Sequence, residues 1–271
     1  MFILEKCART IRHLPLLRKL DSFWNLITPA YERFLRSVYK KGLKRVINKT
    51  DIIYLPYELR HYTDQYEEDV WGKIMSYVRP GDTIADVGAY LGFYTFAFTK
   101  RVGASGKVVA FEPDPNNLAA LKDRVKLYKI NSKLNITGAA VGEVKGKLSF
   151  AAKGISISRV IGKSPENDQG IEVDCIRLDD FFAQEKLDII KIDVEGYEAQ
   201  VLLGAINVLK RSKGYPRAIF IEVHPLAWDD YDSADRTIVS LLRNSGYTIQ
   251  NTKGEAVESI KNYGEIFAFR N

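Results

Sequence analysis

The sequence is poor in the features that mark secreted or membrane-spanning proteins. Its 271 residues include only two cysteines, Cys7 and Cys175, so neither a disulfide framework nor a cysteine metal site is expected. No apolar run reaches the length of about 18 residues that a spanning helix needs. The first residues mix charged and apolar side chains and lack the continuous apolar core of a secretory signal. We therefore expect a cytoplasmic protein with two unpaired thiols.

Positive charge is confined to one end of the chain. Residues 1–50 hold 12 Lys and Arg against 3 Asp and Glu, whereas the remainder holds 28 against 31. The net charge of +6 therefore comes from the first 50 residues, and a general nucleic-acid binder is not expected.

The basic segment has apolar residues at helical spacing. Between residues 10 and 48, Pro15 and Pro29 predict a division into short helices. Basic side chains cover the other faces of these helices. Three interpretations stay open: a solvated face, docking on an anionic membrane surface or lipid-linked carrier, and self-association. We predict a basic, mainly helical extension over 1–60 and a catalytic domain over 61–271.

A glycine loop between a strand and a helix organises the rest of the chain. Thr83–Val87 is a short apolar run typical of a buried parallel strand, and a helix is predicted from Phe93. The intervening loop, with Asp86, Gly88, Ala89, Tyr90 and Gly92, would place backbone N–H groups beside a ligand.

The spacing of the glycines in this loop narrows the choice of ligand. It reads D-x-G-x-x-x-G, whereas a dinucleotide site requires G-x-G-x-x-G and a phosphate loop requires G-x-x-x-x-G-K-[ST]. An acid beside the loop would repel a pyrophosphate but favour a cation such as a sulfonium. The loop alone leaves a methyl donor, a dinucleotide and a plain strand–turn–helix open.

A second predicted strand ends in an acid. Glu112 follows Gly88 by 24 residues, close to the roughly 20 expected for an acid that binds ribose hydroxyls. Pro113 follows at once and ends the strand.

Two further apolar strands end in acids or a histidine. Asp193 follows the first, with Glu195 shortly after, and Glu222 and His224 close the second. Carboxyl ends of parallel strands share one sheet edge, so these side chains are expected to converge there. Crowded acids are costly unless they have ligands or partners.

A strand is predicted over Leu134–Val141. Two further strands are predicted at 146–151 and 170–175. The polar stretch 155–168 between them lacks periodicity and suits a binding loop. Its Ser156, Ser158 and Arg159 are candidates for contact with a substrate, as is Glu195 at the strand tip. A solvated loop is the alternative.

Four blocks together carry a family resemblance. They are DVGAYLGFY at 86–94, FEP at 111–113, KIDVEGYE at 191–198 and IEVHP at 221–225. In this order and spacing, residues 64–270 resemble the FkbM-type methyltransferases, which are S-adenosylmethionine-dependent O-methyltransferases. The family usually has asparagine where this chain has Tyr90.

The resemblance implies a class I methyltransferase fold of the α/β, Rossmann-like type. Its sheet would have seven mostly parallel strands, helices on both faces and a reversed last strand. Gly88 and Gly92 would hold the amino-acid end of S-adenosylmethionine, Glu112 the ribose, and Ala140 and Val141 the adenine. Asp193 would lie beside the donor's amino-acid and sulfonium region.

We hypothesise methyl transfer to a hydroxyl, with His224 as base, oriented by Glu222, Asp193 or Glu195. A sugar, glycan, glycolipid or secondary metabolite is the acceptor that the resemblance suggests. The alternative to a histidine base is a divalent cation, held by the clustered acids, that acidifies the hydroxyl. No metal is assigned. A nicotinamide-dependent oxidoreductase and a non-catalytic scaffold that binds a membrane or a partner are the rival functions.

Overall fold

The computed structural model describes most of the chain. The described residues are 21–39, 42–55, 59, 64–128, 130, 132–151, 159–161, 170–213, 215–228 and 231–270. The chain divides into two compact units, 1–44 with 54–62 and 45–53 with 63–271. The expected division near residue 60 stays a prediction.

One helix, α1, dominates the described part of the first unit. It covers Asp21–Val38 and contains Pro29, so the expected break at this proline was wrong. A proline inside a helix removes one backbone hydrogen bond, which the remaining turns can tolerate. Pro15 lies outside the described residues.

A hairpin follows α1. Its strands are β1, Leu43–Ile47, and β2, Asp51–Leu55, and buried residues alternate with more exposed ones along both. Asp51 is buried and accepts hydrogen bonds from Trp71 Nε1 at 2.8 Å and from Arg101 Nη2 at 2.9 Å.

The second unit alternates strands with helices. Its helices are α2 (Glu68–Tyr77), α3 (Phe93–Val102), α4 (Pro115–Val125), α5 (Leu178–Phe181), α6 (Glu198–Leu203), α7 (Ile206–Leu209) and α8 (Tyr231–Asn244). Its sheet strands are β3 (Thr83–Val87), β4 (Lys107–Phe111), β5 (Lys133–Thr137), β10 (Ile189–Ile192), β11 (Ala218–Val223), β12 (Thr248–Asn251) and β13 (Gly264–Phe269).

These strands form one seven-stranded sheet. Their order is β12-β13-β11-β10-β3-β4-β5, and β13 alone runs antiparallel to its neighbours. This topology confirms the predicted Rossmann-like α/β fold with its reversed last strand. Every residue of β3 and β10 is buried, as expected of central parallel strands.

A smaller sheet stands apart from the large one. It contains β6 (Ala140–Val141), β7 (Gly146–Ala151), β8 (Arg159–Ile161) and β9 (Ile171–Ile176) in the order β6-β9-β7-β8. The sequence predicted one strand over Leu134–Val141, but the chain leaves the large sheet after Thr137 and Ala140 joins the small one. Gly138 lies at this change of sheet.

The helical segment after β10 is interrupted at Gly204. A Cβ at Gly204 would lie 2.0 Å from the carbonyl oxygen of Gly142, so only glycine permits this close approach. The chain therefore forms α6 and α7 in place of one helix. Among the described helices, none combines the length and apolar character needed to cross a bilayer.

Candidate active site

A cavity of about 360 Å³ opens at the carboxyl ends of β3, β4, β10 and β11. This volume lies within the usual range of small-molecule pockets, roughly 300–1,000 Å³. The cavity is lined by Tyr66, Glu67, Asp86, Val87, Gly88, Ala89, Tyr90, Phe93, Tyr94, Phe111, Glu112, Pro113, Asn117, Ala139, Ala140, Val141, Phe150, Lys191, Asp193, Val194, Glu195, Tyr197 and Glu222. Six of these residues are acids and one is a lysine, so the cavity suits a ligand that is cationic or rich in hydrogen-bond donors.

The glycine loop lies between β4 and β10. Gly88 has φ +80°, and a Cβ there would come within 1.7 Å of the Asp193 carbonyl oxygen. The loop can therefore pass this close to β10 only with glycine at position 88. Tyr90 also has a left-handed φ, +50°, which is uncommon for a bulky residue.

Gly92, which was expected to hold the donor, is not among the residues that line the cavity. Its φ is +79°, and a Cβ would meet the side chains of Leu121 and Phe96 rather than the cavity. Because Gly92 does not line the cavity, we do not place it against the donor. Packing at the start of α3 explains why position 92 is a glycine.

The backbone of the loop holds Glu112. Tyr90 N donates to Glu112 Oε2 at 2.7 Å, and Asp114 N donates to Oε1 at 2.9 Å. Burial raises the pKa of Glu112 to about 7, although these two hydrogen bonds oppose the rise. The Asn117 side chain donates a third hydrogen bond to this carboxylate, which leaves one of its four lone pairs for a ligand hydroxyl.

Two buried acceptors of the cavity lack a hydrogen-bond partner among the described residues. They are Asp86 Oδ1 and Asn117 Oδ1. The other oxygen of Asp86 accepts from Thr95 Oγ1, and burial raises the pKa of Asp86 while Lys191 opposes the rise. Unsatisfied buried acceptors carry a cost, which a bound ligand with N–H or O–H donors would remove.

Lys191 is the buried cation of the cavity. Its Nζ lies 3.0 Å from Asp193 Oδ2 and 4.6 Å from the centre of the Tyr94 ring. Burial disfavours its charge, but Asp193 and Asp86 outweigh this and raise the pKa of Lys191 above its ordinary value. Lys191 therefore fixes Asp193 at the end of β10.

His224 is held from behind by a buried carboxylate. Its Nδ1 lies 2.8 Å from Glu198 Oε1, and Glu198 Oε2 accepts from Trp228 Nε1 at 2.7 Å. Nε2 faces Glu195 Oε2 at 3.4 Å and Glu222 Oε1 at 3.7 Å. Burial opposes protonation, but the bond to Glu198 and the charge of Glu195 raise the pKa of His224 to about 9.

Two neighbouring carboxylates on β11 and β13 titrate near neutrality. Glu222 and Glu265 are paired residues of these antiparallel strands. Burial and Asp193 raise the pKa of Glu222 to about 7, while Tyr263 donates a hydrogen bond to its carboxylate. Burial and Glu222 raise the pKa of Glu265 to about 8.

The geometry of Asp193, Glu195 and His224 would also suit a small cation. One ligand atom from each lies within 4.8 Å of the others. In the described structure, however, Lys191 pairs with Asp193, and the imidazole of His224 faces Glu195. These partners already account for the grouping of charges, so we assign no metal.

Most predicted site residues line this one cavity. Asp86, Gly88, Ala89, Tyr90, Glu112, Pro113, Ala140, Val141, Asp193, Glu195 and Glu222 do so. His224 stands behind Glu195 and Glu222 and is not among the lining residues. Ser156 and Ser158 lie outside the described residues, and Arg159 belongs to β8, where only its backbone is described.

Sequence reasoning missed several residues. Tyr66 and Glu67 line the cavity, and Glu67 accepts a hydrogen bond from Tyr94 Oη at 2.6 Å. In the sequence Glu67 resembles any acid at a helix start, and its left-handed φ of +41° is not visible there. Glu198 had a usable signal, since it is the last acid of the KIDVEGYE block.

The match to a family profile decides the assignment. Residues 86–249 match the methyltransferase FkbM domain, and this range includes the glycine loop, Glu112, Asp193 and His224. The chain belongs to the FkbM methyltransferase family. Its methyl donor is S-adenosylmethionine, and the nicotinamide alternative is set aside.

Solved structures of methyltransferases resemble this FkbM methyltransferase at low identity. A putative rRNA methylase from Clostridium thermocellum is 11% identical, covers 73% of this chain and 89% of its own, and gives a TM-score of 0.44. An S-adenosylmethionine-dependent O-methyltransferase from Thermotoga maritima is 13% identical, with 76% and 65% covered and a TM-score of 0.42. A methyltransferase from Aquifex aeolicus is 17% identical, with 75% and 90% covered and a TM-score of 0.41. No curated protein matches the chain.

The cavity of this FkbM methyltransferase fits the donor chemically. S-adenosylmethionine carries ribose hydroxyls, amino groups and a sulfonium, all of which suit acceptors or negative charge. The unpartnered Asp86 Oδ1 and Asn117 Oδ1 and the buried carboxylate of Glu112 supply such acceptors.

Proposed function

We propose that the enzyme transfers the methyl group to a hydroxyl oxygen of its acceptor. The observation that supports this most is the continuity of the cavity. One end contains Glu112, Ala140 and Val141, and the same cavity reaches Glu195 and Glu222 at the ends of β10 and β11. A donor and an acceptor would therefore share one enclosure.

Residues at the first end would hold the donor. In this proposal Glu112 accepts from a ribose hydroxyl, Ala140 and Val141 contact the adenine, and Asp86 and Asp193 face the amino-acid part. Gly88, Ala89, Tyr90 and Pro113 supply the adjoining wall. When bound, S-adenosylmethionine supplies a methyl group on a positively charged sulfur, already activated for displacement.

The base in this proposal is Glu222 rather than His224. Glu222 lines the cavity, and its pKa of about 7 suits proton removal at neutral pH. His224 does not line it, and its pKa of about 9 keeps the imidazole protonated at neutral pH. The acceptor's O–H proton would pass to Glu222 while His224, fixed by Glu198, orients the two rim carboxylates.

The pH dependence of methyl transfer tests this assignment. With the donor saturating, so that ionisation of Glu112 does not limit the rate, labelled-donor transfer to an acceptor found by screening cell extract should rise with pH through an apparent pKa near 7, since Glu222 must be ionised to act. Glu222→Gln should lower the rate by about 10²–10⁴-fold and abolish this rise with pH, the acidic limb of the pH profile. His224→Asn should retain the limb, with a smaller loss of rate.

A matched control is Glu172→Gln, whose side chain is 70% exposed on β9. It should leave the rate and the profile unchanged. A limb near pH 9 that vanishes in His224→Asn would return the role of base to His224. Methylation of nitrogen or carbon in place of oxygen would contradict the proposed reaction.

The acceptor in this proposal bears hydroxyl groups, as a sugar, glycan, glycolipid or secondary metabolite does. Glu195 and Glu222 would accept hydrogen bonds from these hydroxyls, and the rings of Tyr66 and Tyr94 add apolar wall. The acidic lining disfavours an anionic group beside the reacting oxygen. Ser156, Ser158 and Arg159 stay proposed acceptor contacts, and a nucleic-acid acceptor is not expected.

We also propose that the basic extension meets an anionic membrane surface or lipid-linked carrier. On α1, Phe34 and Val38 lie one turn apart with 58% and 46% of their surface exposed, and Arg33 is exposed beside them. Apolar and basic groups together suit the interface of an anionic bilayer.

Flotation with liposomes tests the membrane proposal. The full chain should bind vesicles containing phosphatidylserine and lose most binding in the double variant Phe34→Ser/Val38→Ser, because the apolar contact is removed. Val144→Ser is the control, since Val144 is 68% exposed in the second unit. Equal flotation of wild type and double variant, or binding to neutral vesicles alone, would contradict the proposal.

A further inference from the structure

One aromatic side chain at the rim lies outside the residues matched by the family profile. Tyr263 precedes β13, whereas the match ends at residue 249. Its hydroxyl donates a hydrogen bond to Glu222 Oε1, and its ring centre lies 5.4 Å from that of His224, inclined by 55°. Its side chain is 65% exposed, so part of the ring faces solvent.

We propose that Tyr263 is a positioning residue that orients Glu222 and offers the acceptor an aromatic face. This inference rests on the proposed function, in which Glu222 is the base.

The hydrogen bond restricts the carboxylate of Glu222. A carboxylate at a strand rim can rotate freely about its last torsion unless a donor fixes it. Tyr263 Oη is bonded to Oε1, the same oxygen that faces His224 Nε2 at 3.7 Å. With Oε1 fixed between these two groups, Oε2 is the oxygen left for an acceptor hydroxyl.

The charges around Glu222 make a donor necessary. Burial raises the pKa of Glu222 most, Asp193 and Glu67 raise it further by repulsion, and Lys191 on β10 opposes them. Glu265 faces it from β13, and His224 follows it on β11. A hydrogen bond to the ionised form favours that form, so Tyr263 keeps Glu222 available as a base near neutral pH.

The exposed ring indicates part of the acceptor's chemistry. Tyr263 bonds Glu222, which lines the cavity, and an exposed aromatic side chain beside a polar cavity is typical of a ligand rim. The acceptor should therefore combine its hydroxyl with an apolar ring face, such as the C–H face of a sugar ring or an aromatic ring.

Two substitutions separate the hydroxyl from the ring. Tyr263→Phe keeps the ring and removes the hydrogen bond, so the titration midpoint of Glu222 should rise by about one pH unit. This is measured by NMR on protein labelled at the glutamate carboxyl carbon, with Glu222→Gln identifying the signal. Tyr263→Ala should show the same shift and, in addition, a several-fold higher KM for the acceptor.

Tyr247→Phe is the matched control, since its hydroxyl bonds the backbone oxygen of Pro216. It should leave the Glu222 midpoint unchanged, and donor affinity should be equal in wild type and in the three tyrosine variants. An unchanged midpoint in Tyr263→Phe would overturn the orienting role, and equal KM values for Tyr263→Phe and Tyr263→Ala would overturn the acceptor face. Full activity of Glu222→Gln would instead contradict the proposed function. The NMR midpoint of Glu222 would still report whether Tyr263 bonds its carboxylate.

Discussion

At the scale of residues, backbone geometry explains several identities that chemistry alone does not. Gly88 is required by the carbonyl oxygen of Asp193, and Gly92 by the packing of Leu121 and Phe96. The two glycines look equivalent in the sequence because both flank one loop. Only the folded structure separates a position that lines the cavity from one that packs behind it.

Gly88→Ala should destabilise the protein strongly. The added Cβ would meet the Asp193 carbonyl oxygen at 1.7 Å, and a left-handed φ also costs alanine about 1–2 kcal/mol. We expect a loss of about 3–5 kcal/mol in the free energy of unfolding, measured by urea denaturation.

Gly103→Ala supplies the comparison. Gly103 has φ +65°, yet nothing lies within 4 Å of the place that a Cβ would occupy, so only the backbone cost applies. Its ψ of −167° puts it in a region that is essentially restricted to glycine, so the variant should lose about 1–3 kcal/mol. Equal losses in the two variants would show that the clash at Gly88 is relieved by movement.

Tyr90 illustrates a limit of pattern reading. The family's usual asparagine tolerates a left-handed φ better than most residues, and Tyr90 adopts +50°. The backbone N–H of Tyr90, rather than its side chain, bonds Glu112. The departure from the family pattern therefore leaves this contact intact.

At the scale of elements, the hairpin is anchored by one buried carboxylate. Asp51 on β2 accepts from Trp71 on α2 and from Arg101 on α3. Burial tends to raise the pKa of Asp51, but the bonds from Arg101, Trp71 and Thr50 outweigh it and lower the pKa. A single side chain thus connects three elements.

Asp51→Ala should cost about 2–4 kcal/mol in the free energy of unfolding, because it leaves a partly buried arginine and a buried indole N–H without their acceptor. Since the folded pKa is depressed, this contribution is present at neutral pH and is lost as pH falls below about 4. Denaturation at pH 7 and pH 3 measures both effects.

Asp123→Ala is the reference for an exposed pair. Asp123 lies 2.8 Å from Lys126 with both side chains more than 70% exposed, so the change should be under about 0.5 kcal/mol. A loss at Asp51 that stayed constant between the two pH values would contradict the pKa argument.

Elements differ in how far the sequence predicted them. The strands that carry Asp193 and His224 are short apolar runs, so their existence followed from composition and their shared edge from parallel topology. The small sheet was not predicted from the sequence. Ala140 continues the apolar run of β5, and only the structure shows that the chain changes sheets after Thr137. Glu67 and Tyr66 could not be predicted, since their place in the cavity depends on the entry to α2.

At the scale of the whole molecule, the first 50 residues and the cavity carry charge of opposite sign. The first 50 residues are basic, whereas the cavity of the second unit contains six acids and one lysine. The overall pI of about 9.1 therefore says nothing about the ligand of the cavity. Local charge at the strand ends favoured a cationic ligand, and the family resemblance identified it as S-adenosylmethionine.

The donor site is tested most directly by titration calorimetry with S-adenosylmethionine. Wild type should bind at pH 8, and Glu112→Ala should bind at least about tenfold more weakly, because a ribose hydroxyl loses its acceptor. With the pKa of Glu112 at about 7, ionisation is lost on going down to pH 6, so wild-type affinity should fall there and Glu112→Ala should not follow. Glu172→Ala, an exposed acid on β9, should bind like wild type; equal affinity of wild type and Glu112→Ala at pH 8 would contradict the placement of the donor against Glu112.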